Sequence, residues 1–202
     1  MNKIHKQFSN QFRTQWLKIK FYREKPDINN VKKLQNVRFC QAIKDGVLYP
    51  VILDKESINC PGALYAFGWQ NQKELIEHCK DKINLSGKEL DDLISQQPRF
   101  KKPFKYIGIN MEGEPDLIVS NILPRDAMEL INQYHRKTGK ILNVSLSSMM
   151  SVCSGIAVKT FLEDQITFSF GCMDSREYGQ IDRSRLVVGV PKKFFHLIKT
   201  DV

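Results

Sequence analysis

Two cysteines occur twice in the same company. Cys40 lies in the amphipathic run Arg38-Phe39-Cys40-Gln41-Ala42-Ile43, and Cys60 follows an apolar stretch. Cys153 lies in the small-residue run Val152-Cys153-Ser154-Gly155-Ile156-Ala157, and Cys172 again follows an apolar stretch. Twenty residues separate the first pair and nineteen the second. An aromatic–glycine step comes after each pair, Phe67-Gly68 and Tyr178-Gly179. A fold that honours this repeat brings four thiols to one site on a pseudo-twofold axis.

The repeat suggests two pseudo-symmetric lobes, each with a small sheet and cysteine-bearing helices, 1–104 with Cys40 and Cys60 and 105–202 with Cys153 and Cys172, joined in one compact domain. A chain of 202 residues can bury a substantial core, and 42% hydrophobic with 26% charged residues is globular composition. The start Met1-Asn2-Lys3-Ile4-His5-Lys6-Gln7 leads into no apolar region, so no secretory leader is expected. No apolar run is long enough to span a bilayer. A cytoplasmic, reducing setting is expected, where disulfides are disfavoured and metal or redox roles for thiols gain weight.

Within each lobe, strands and helices mix without a regular βαβ alternation, which predicts an α+β fold. A helix is expected over 8–16 and a period-two strand over 17–22, ended by Pro26-Asp27. A helix carries Cys40 and stops at Gly46, 49–53 is a strand, and Pro61 occupies the first position of another helix. Two helices lie between Asn71 and Gln97, and Pro98 closes them. A hairpin is expected of 106–111 with 116–120, then a helix over 124–140 with Gly139 at its end. Further on come a short strand over 141–146, a helix over 147–163, strands at 165–171 and 186–190, and a closing amphipathic helix after Pro191. Each half has a strand ending in Pro-Asp, 26–27 and 115–116, which suggests an internal duplication with an insertion.

The cysteine contexts carry the chemistry. Cys40 and Cys153 fall on helices, each with a small residue two positions on, Ala42 and Gly155. Cys60 and Cys172 fall at strand-to-helix junctions, where the helix N-terminus favours thiolate over thiol. Arg38 and Arg176 lie within a helical turn of these positions and are expected to balance thiolate charge or hold an anionic substrate. Four thiolates suit tetrahedral zinc or an iron–sulfur cluster. There is no Cys-x-x-Cys knuckle, so wide pairs from separate elements favour a cluster, of the 4Fe-4S type, over zinc. Cys79 has no counterpart and is expected on an apolar helix face, outside the site. His5, His78, His135 and His196 are scattered, with no pair at ligand spacing.

Two rival readings stand beside this one. Cys172 could act without metal, as a redox or nucleophilic thiol with another of the four as resolving partner. The formal charge of +9 could instead draw nucleic acid, an acidic protein or a phosphorylated molecule. In the segment from Arg99 to Lys105, Phe100 and Phe104 alternate with cations as in single-strand binders, although an interlobe linker accounts for the same residues. Nucleic acid is the weaker expectation; a redox partner or a small anionic substrate is the stronger.

Arg38-Phe39-Cys40, Cys60-Pro61-Gly62-Ala63 with Phe67-Gly68, and Ser169-Phe170-Gly171-Cys172-Met173-Asp174-Ser175-Arg176 together resemble the hallmark motifs of a prokaryotic family known as domain of unknown function 169. Val188-Gly189-Val190-Pro191 resembles its ending, and the resemblance runs from about Leu17 to Phe195. It implies a cytoplasmic protein with several characteristic cysteines, matched here by Cys40, Cys60, Cys153 and Cys172, and brings no secure activity with it.

Overall fold

The structure, a computed structural model, describes residues 15–27 and 30–198. The helix expected over 8–16 lies almost wholly outside the described residues. The frame is a single seven-stranded sheet: β1 (Leu17–Tyr22), β2 (Lys32–Lys33), β3 (Val51–Leu53), β4 (Tyr106–Ile109), β5 (Leu117–Ile122), β6 (Thr167–Ser169) and β7 (Leu186–Pro191). Its order is β2-β3-β4-β1-β5-β7-β6, antiparallel throughout except for the β2–β3 pair. Helices and strands are segregated as an α+β fold requires.

β1 forms where it does because its side chains alternate: Leu17, Ile19 and Phe21 are buried and Lys18 is exposed. β5 and β7 bury both faces. Leu117, Val119 and Val187 point into the main core, while Ile118, Ile122, Val188 and Val190 point into a second, smaller one. That second core is covered by α5 (Pro124–Thr138), which buries Ala127, Leu130 and Tyr134. Gly139 ends α5 in the left-handed region at φ 65°, as the sequence predicts. The main-core face carries α1 (Phe39–Asp45), α2 (Pro61–Ala66), α3 (Gln72–Cys79), α4 (Gly87–Ser95), a π-helix (Cys153–Val158) and α6 (Lys159–Glu163), and α7 (Met173–Glu177) packs on α1. Among the described residues no helix is long and apolar enough to cross a membrane.

Several expectations are corrected here. The two small sheets expected of two lobes are one sheet, because β4 from the second half lies between β3 and β1 of the first. The hairpin expected of β4 and β5 does not form. β1 inserts between them, with Ile19 opposite Ile109 on one side and Leu117 on the other. Strands two places apart in a sheet are about 10 Å apart, and the connection through Gly113 spans that gap. The Asp116 carboxylate locks the arrangement by accepting the Phe21 N–H at 2.8 Å. The strand expected at 141–146 is irregular chain, and the closing helix is a 3₁₀ helix, Lys192–Leu197. The two aromatic–glycine steps also differ: Gly68 is left-handed at φ 78°, whereas Gly179 is absent from the positive-φ glycines and packs against Cys40. The topology adds no support to an internal duplication.

The basic linker also has a different role from the one its composition suggests. Phe100 is buried and stacks edge-on to Phe21 and Phe161 at 5.0 and 5.5 Å, and Phe104 joins the same group. Phe100 is therefore core, and the half-buried Phe104 packs against it beneath the Arg23 guanidinium, 4.8 Å from its ring. Lys101 and Lys102 remain exposed beside them.

Candidate functional site: a cavity walled by four cysteines

α1, α2, α7 and the π-helix meet around a cavity of about 630 Å³ lined by Cys40, Cys60, Cys153 and Cys172. Each cysteine arrives on its own element. Cys60 precedes α2, whose first residue Pro61 lacks an N–H at the position where that group would have no partner. Cys172 stands in the same relation to α7, and its N–H donates to the Ser175 hydroxyl at 2.8 Å. Cys40 lies in the first turn of α1 and its thiol donates to the Asp174 carbonyl at 3.5 Å. This contact ties the first half of the chain to the second.

Cys153 is placed by a departure from α-helical geometry. The sequence predicts a plain helix over 147–163, but Gly155 and Ala157 donate to the carbonyls of Met150 and Val152, five residues back, at 3.1 and 2.9 Å. The wider turn changes the rotation of successive side chains, and such π segments recur at functional sites. Met150 precedes it at φ 49°, an uncommon conformation for a residue with a side chain, costing of order 1 kcal/mol. The Cys153 thiol donates to the Met150 carbonyl at 3.5 Å.

The thiols are close enough to feel one another's charge. Burial raises Cys40 from an ordinary 9.0 to about 12, with Cys172 and Cys60 adding to the rise. Burial likewise holds Cys153 well above its usual range, and Cys60, Cys172 and Cys40 push the same way. Cys60 is also raised, chiefly by burial, although the Ala63 N–H and the Arg38 guanidinium oppose the shift. At Cys60, burial thus acts against the thiolate that the junction position favours. The following helix has six residues, and its end cannot offset the loss of water around the sulfur.

The two arginines separate in role. Arg38 lies near enough to Cys60 to act against the rise of its thiol, stacks on the Tyr178 ring at 4.3 Å, and pairs with Asp174 at 2.5 Å. Arg176 turns away from the thiols. Its guanidinium donates to the carbonyls of Phe170, Ile181, Asp182 and Arg185, binding the loop after α7 to the end of β6. It is a structural clamp, and activation of Cys172 by Arg176 has no geometric basis here.

The sequence marks Asp174 only as a surface carboxylate able to pair with Arg38 or Arg176; in the structure it does pair with Arg38, and its Oδ2 lies 3.9 Å from the Cys60 sulfur. Its position two residues after Cys172, in the first turn of α7, was the available signal for this contact. Sequence reasoning missed the rest of the cavity wall, which includes Met149, Met150 and Met173 and a rim of His78 and Lys82. Cys79 lines the same cavity, nearer than expected, yet its raised thiol responds to burial and Lys82 and not to the other four. Among the described residues no three His, Cys, Asp or Glu side chains stand close enough to hold a single metal ion.

An α+β frame with a cysteine-walled cavity is thus the class that fold and site define. The chain belongs to the family domain of unknown function 169, described as uncharacterised ArCR, whose model matches residues 11–199. No curated protein and no solved structure matches the chain.

Proposed function

We propose that this is a metalloprotein in which Cys40, Cys60, Cys153 and Cys172 hold an iron–sulfur cluster used for electron transfer or sulfur handling. The observation that carries the reading is four cysteines, supplied by four separate elements, facing one cavity and one another. Buried cysteine is commonly inert packing, but packing does not leave several sulfurs around open space. A cluster assigns each thiolate to a different iron and so spreads its ligands wider than one ion does. Wide cysteine pairs supplied by separate elements, with no Cys-x-x-Cys knuckle, rank the cluster above zinc.

When bound, a cluster supplies one-electron chemistry at a potential set by charge, hydrogen bonding and solvent access. The chain's own residues control each of these. Burial of Cys153 and Cys40 excludes water, and the Arg38 guanidinium at Cys60 offsets thiolate charge. Asp174 holds Arg38 in place and limits how much positive charge reaches the sulfurs. Cys172 and Cys60 are only half-buried, so the thiols are not wholly sealed from solvent.

Anaerobic purification with assays for iron, zinc and acid-labile sulfide tests this reading. Iron and sulfide in matching amounts, with brown protein that loses both in Cys60→Ser, are expected. Colourless wild-type protein that takes up no iron on anaerobic reconstitution would overturn it.

A further inference from the structure

The thiols make up only part of the cavity wall. A volume of about 630 Å³ is in the range of small-molecule sites, which span roughly 300–1,000 Å³. Much of the remaining wall is apolar, with Leu75 and Cys79 from α3 and Ile83, Met149 and Met150 from other segments, although Asp174 and Glu177 of α7 also line the cavity. At the rim, Lys82 donates to His78 across 2.7 Å. Among the described residues no carboxylate pairs with Lys82. The other cation of the cavity, Arg38, already has its counterion in Asp174. The cavity therefore has a largely apolar wall, a group of thiols, and at Lys82 an ammonium that no carboxylate pairs with among the described residues.

We infer that the cavity binds a small monocarboxylate with an apolar body, its carboxylate at Lys82 and His78 and its apolar part against Met149, Ile83 and Leu75. A single ammonium with a neutral imidazole matches one negative charge and leaves a second one unpaired, so a dianion fits worse. Methionine adapts its shape to irregular apolar ligands and suits such a wall. The ligand's far end lies toward Cys60 and Cys172, which puts any reactive group it carries next to the thiol site. The inference deepens the cluster reading by naming a ligand class, and depends on it only for what the thiols hold.

The test is calorimetric titration of the anaerobic full chain with 4-phenylbutyrate and with 4-phenylbutanol, with iron assayed on the same samples. The acid should bind saturably, one molecule per chain, and Lys82→Ala should weaken it about tenfold, the order expected for losing a charged hydrogen bond. Binding of the alcohol should be unchanged by Lys82→Ala. Met149→Lys, at a partly exposed wall position, should weaken both probes. Absence of saturable binding in iron-loaded protein overturns the ligand site and leaves the cluster standing. Equal binding of acid and alcohol, indifferent to Lys82→Ala, overturns the carboxylate assignment. Lys82-dependent binding to a protein that takes up no iron upholds the ligand site and removes the cluster.

Discussion

Arg38 and Asp174, 136 residues apart in the chain, form a 2.5 Å ion pair that closes one side of the four-cysteine cavity. Their opposite charges act on the same sulfur with opposite sign. Asp174 raises the Cys60 thiol and Arg38 lowers it, while burial raises it more than either. Asp174→Asn should therefore lower the Cys60 pKa and speed its alkylation near neutral pH in metal-free protein. Arg38→Ala should slow it. Mass-spectrometric iodoacetamide kinetics would read both, and equal rates in the two variants would contradict the opposed roles. Because both partners are partly exposed, loss of the pair itself should cost only about 0.5–1 kcal/mol of stability.

The raised thiols make a pH prediction. Cys40 is moved from 9.0 to about 12 by burial, and Cys153 is raised as well. Between those values the unfolded chain releases protons that the folded chain keeps, so the folded state is progressively disfavoured as pH rises. The stabilising contribution is complete below about pH 9 and lost toward pH 12, at up to about 1.4 kcal/mol per pH unit for one such group. Metal-free protein should show a melting temperature that falls above pH 9. Cys40→Ala should flatten that fall. In metal-loaded protein the ligands are already deprotonated, so the sensitivity should move to the acid side, where protons compete with the metal.

Cysteine replacements separate ligation from packing. Cys60→Ser, Cys153→Ser and Cys172→Ser should each abolish iron and sulfide and lower stability well beyond a packing change, because metal binding at such a site is also folding energy. Cys79→Ser should keep the metal and lose only about 1–3 kcal/mol, the cost of burying a hydroxyl. Cys79 lines the same cavity, so it is a stringent control. Equal, modest losses of melting temperature across the set, with no metal in any variant, would end the four-thiolate assignment.

Gly179 offers a test that touches no sulfur. A Cβ there would lie 2.6 Å from the Ser175 carbonyl oxygen, 3.1 Å from the Cys40 carbonyl oxygen and 3.2 Å from the Cys40 Cβ. Two of these neighbours are backbone and cannot rotate aside. Gly179→Ala should push the chain after α7 off α1, costing about 1–3 kcal/mol. It should also reduce metal content, since Cys40 and Cys172 ride on the two displaced elements. Unchanged stability and metal content together would show that this contact does not set the site.

Much of the local structure was legible from residue order. β1 follows from period-two burial of Leu17, Ile19 and Phe21, and α5 from a proline at its start and Gly139 at its end, because these signals act over a few residues. The placement of Cys40 on a helix and of Cys60 and Cys172 just before helices was equally readable, through Pro61 and the helical runs that follow. That the four cysteines share one context twice over was enough to nominate them together.

What tertiary structure decided is every property that depends on non-local neighbours. β1 separates β4 from β5 because both edges of a strand can pair, and local pattern does not choose the partner. Arg176 and Arg38 look equivalent in sequence, yet only Arg38 lies near enough to Cys60 to act on its thiol; the direction of a long side chain depends on which carbonyls fold back beside it. Phe100 and Phe104 looked like a nucleotide platform among lysines, but Phe100 is core and the half-buried Phe104 packs against it, with Phe21 and Phe161 beside both. The Cys60 thiol is raised, against the junction argument, for the same reason. A helix end is written in the local sequence, whereas desolvation is produced by everything that packs around the sulfur, and at Cys60 it is the larger effect.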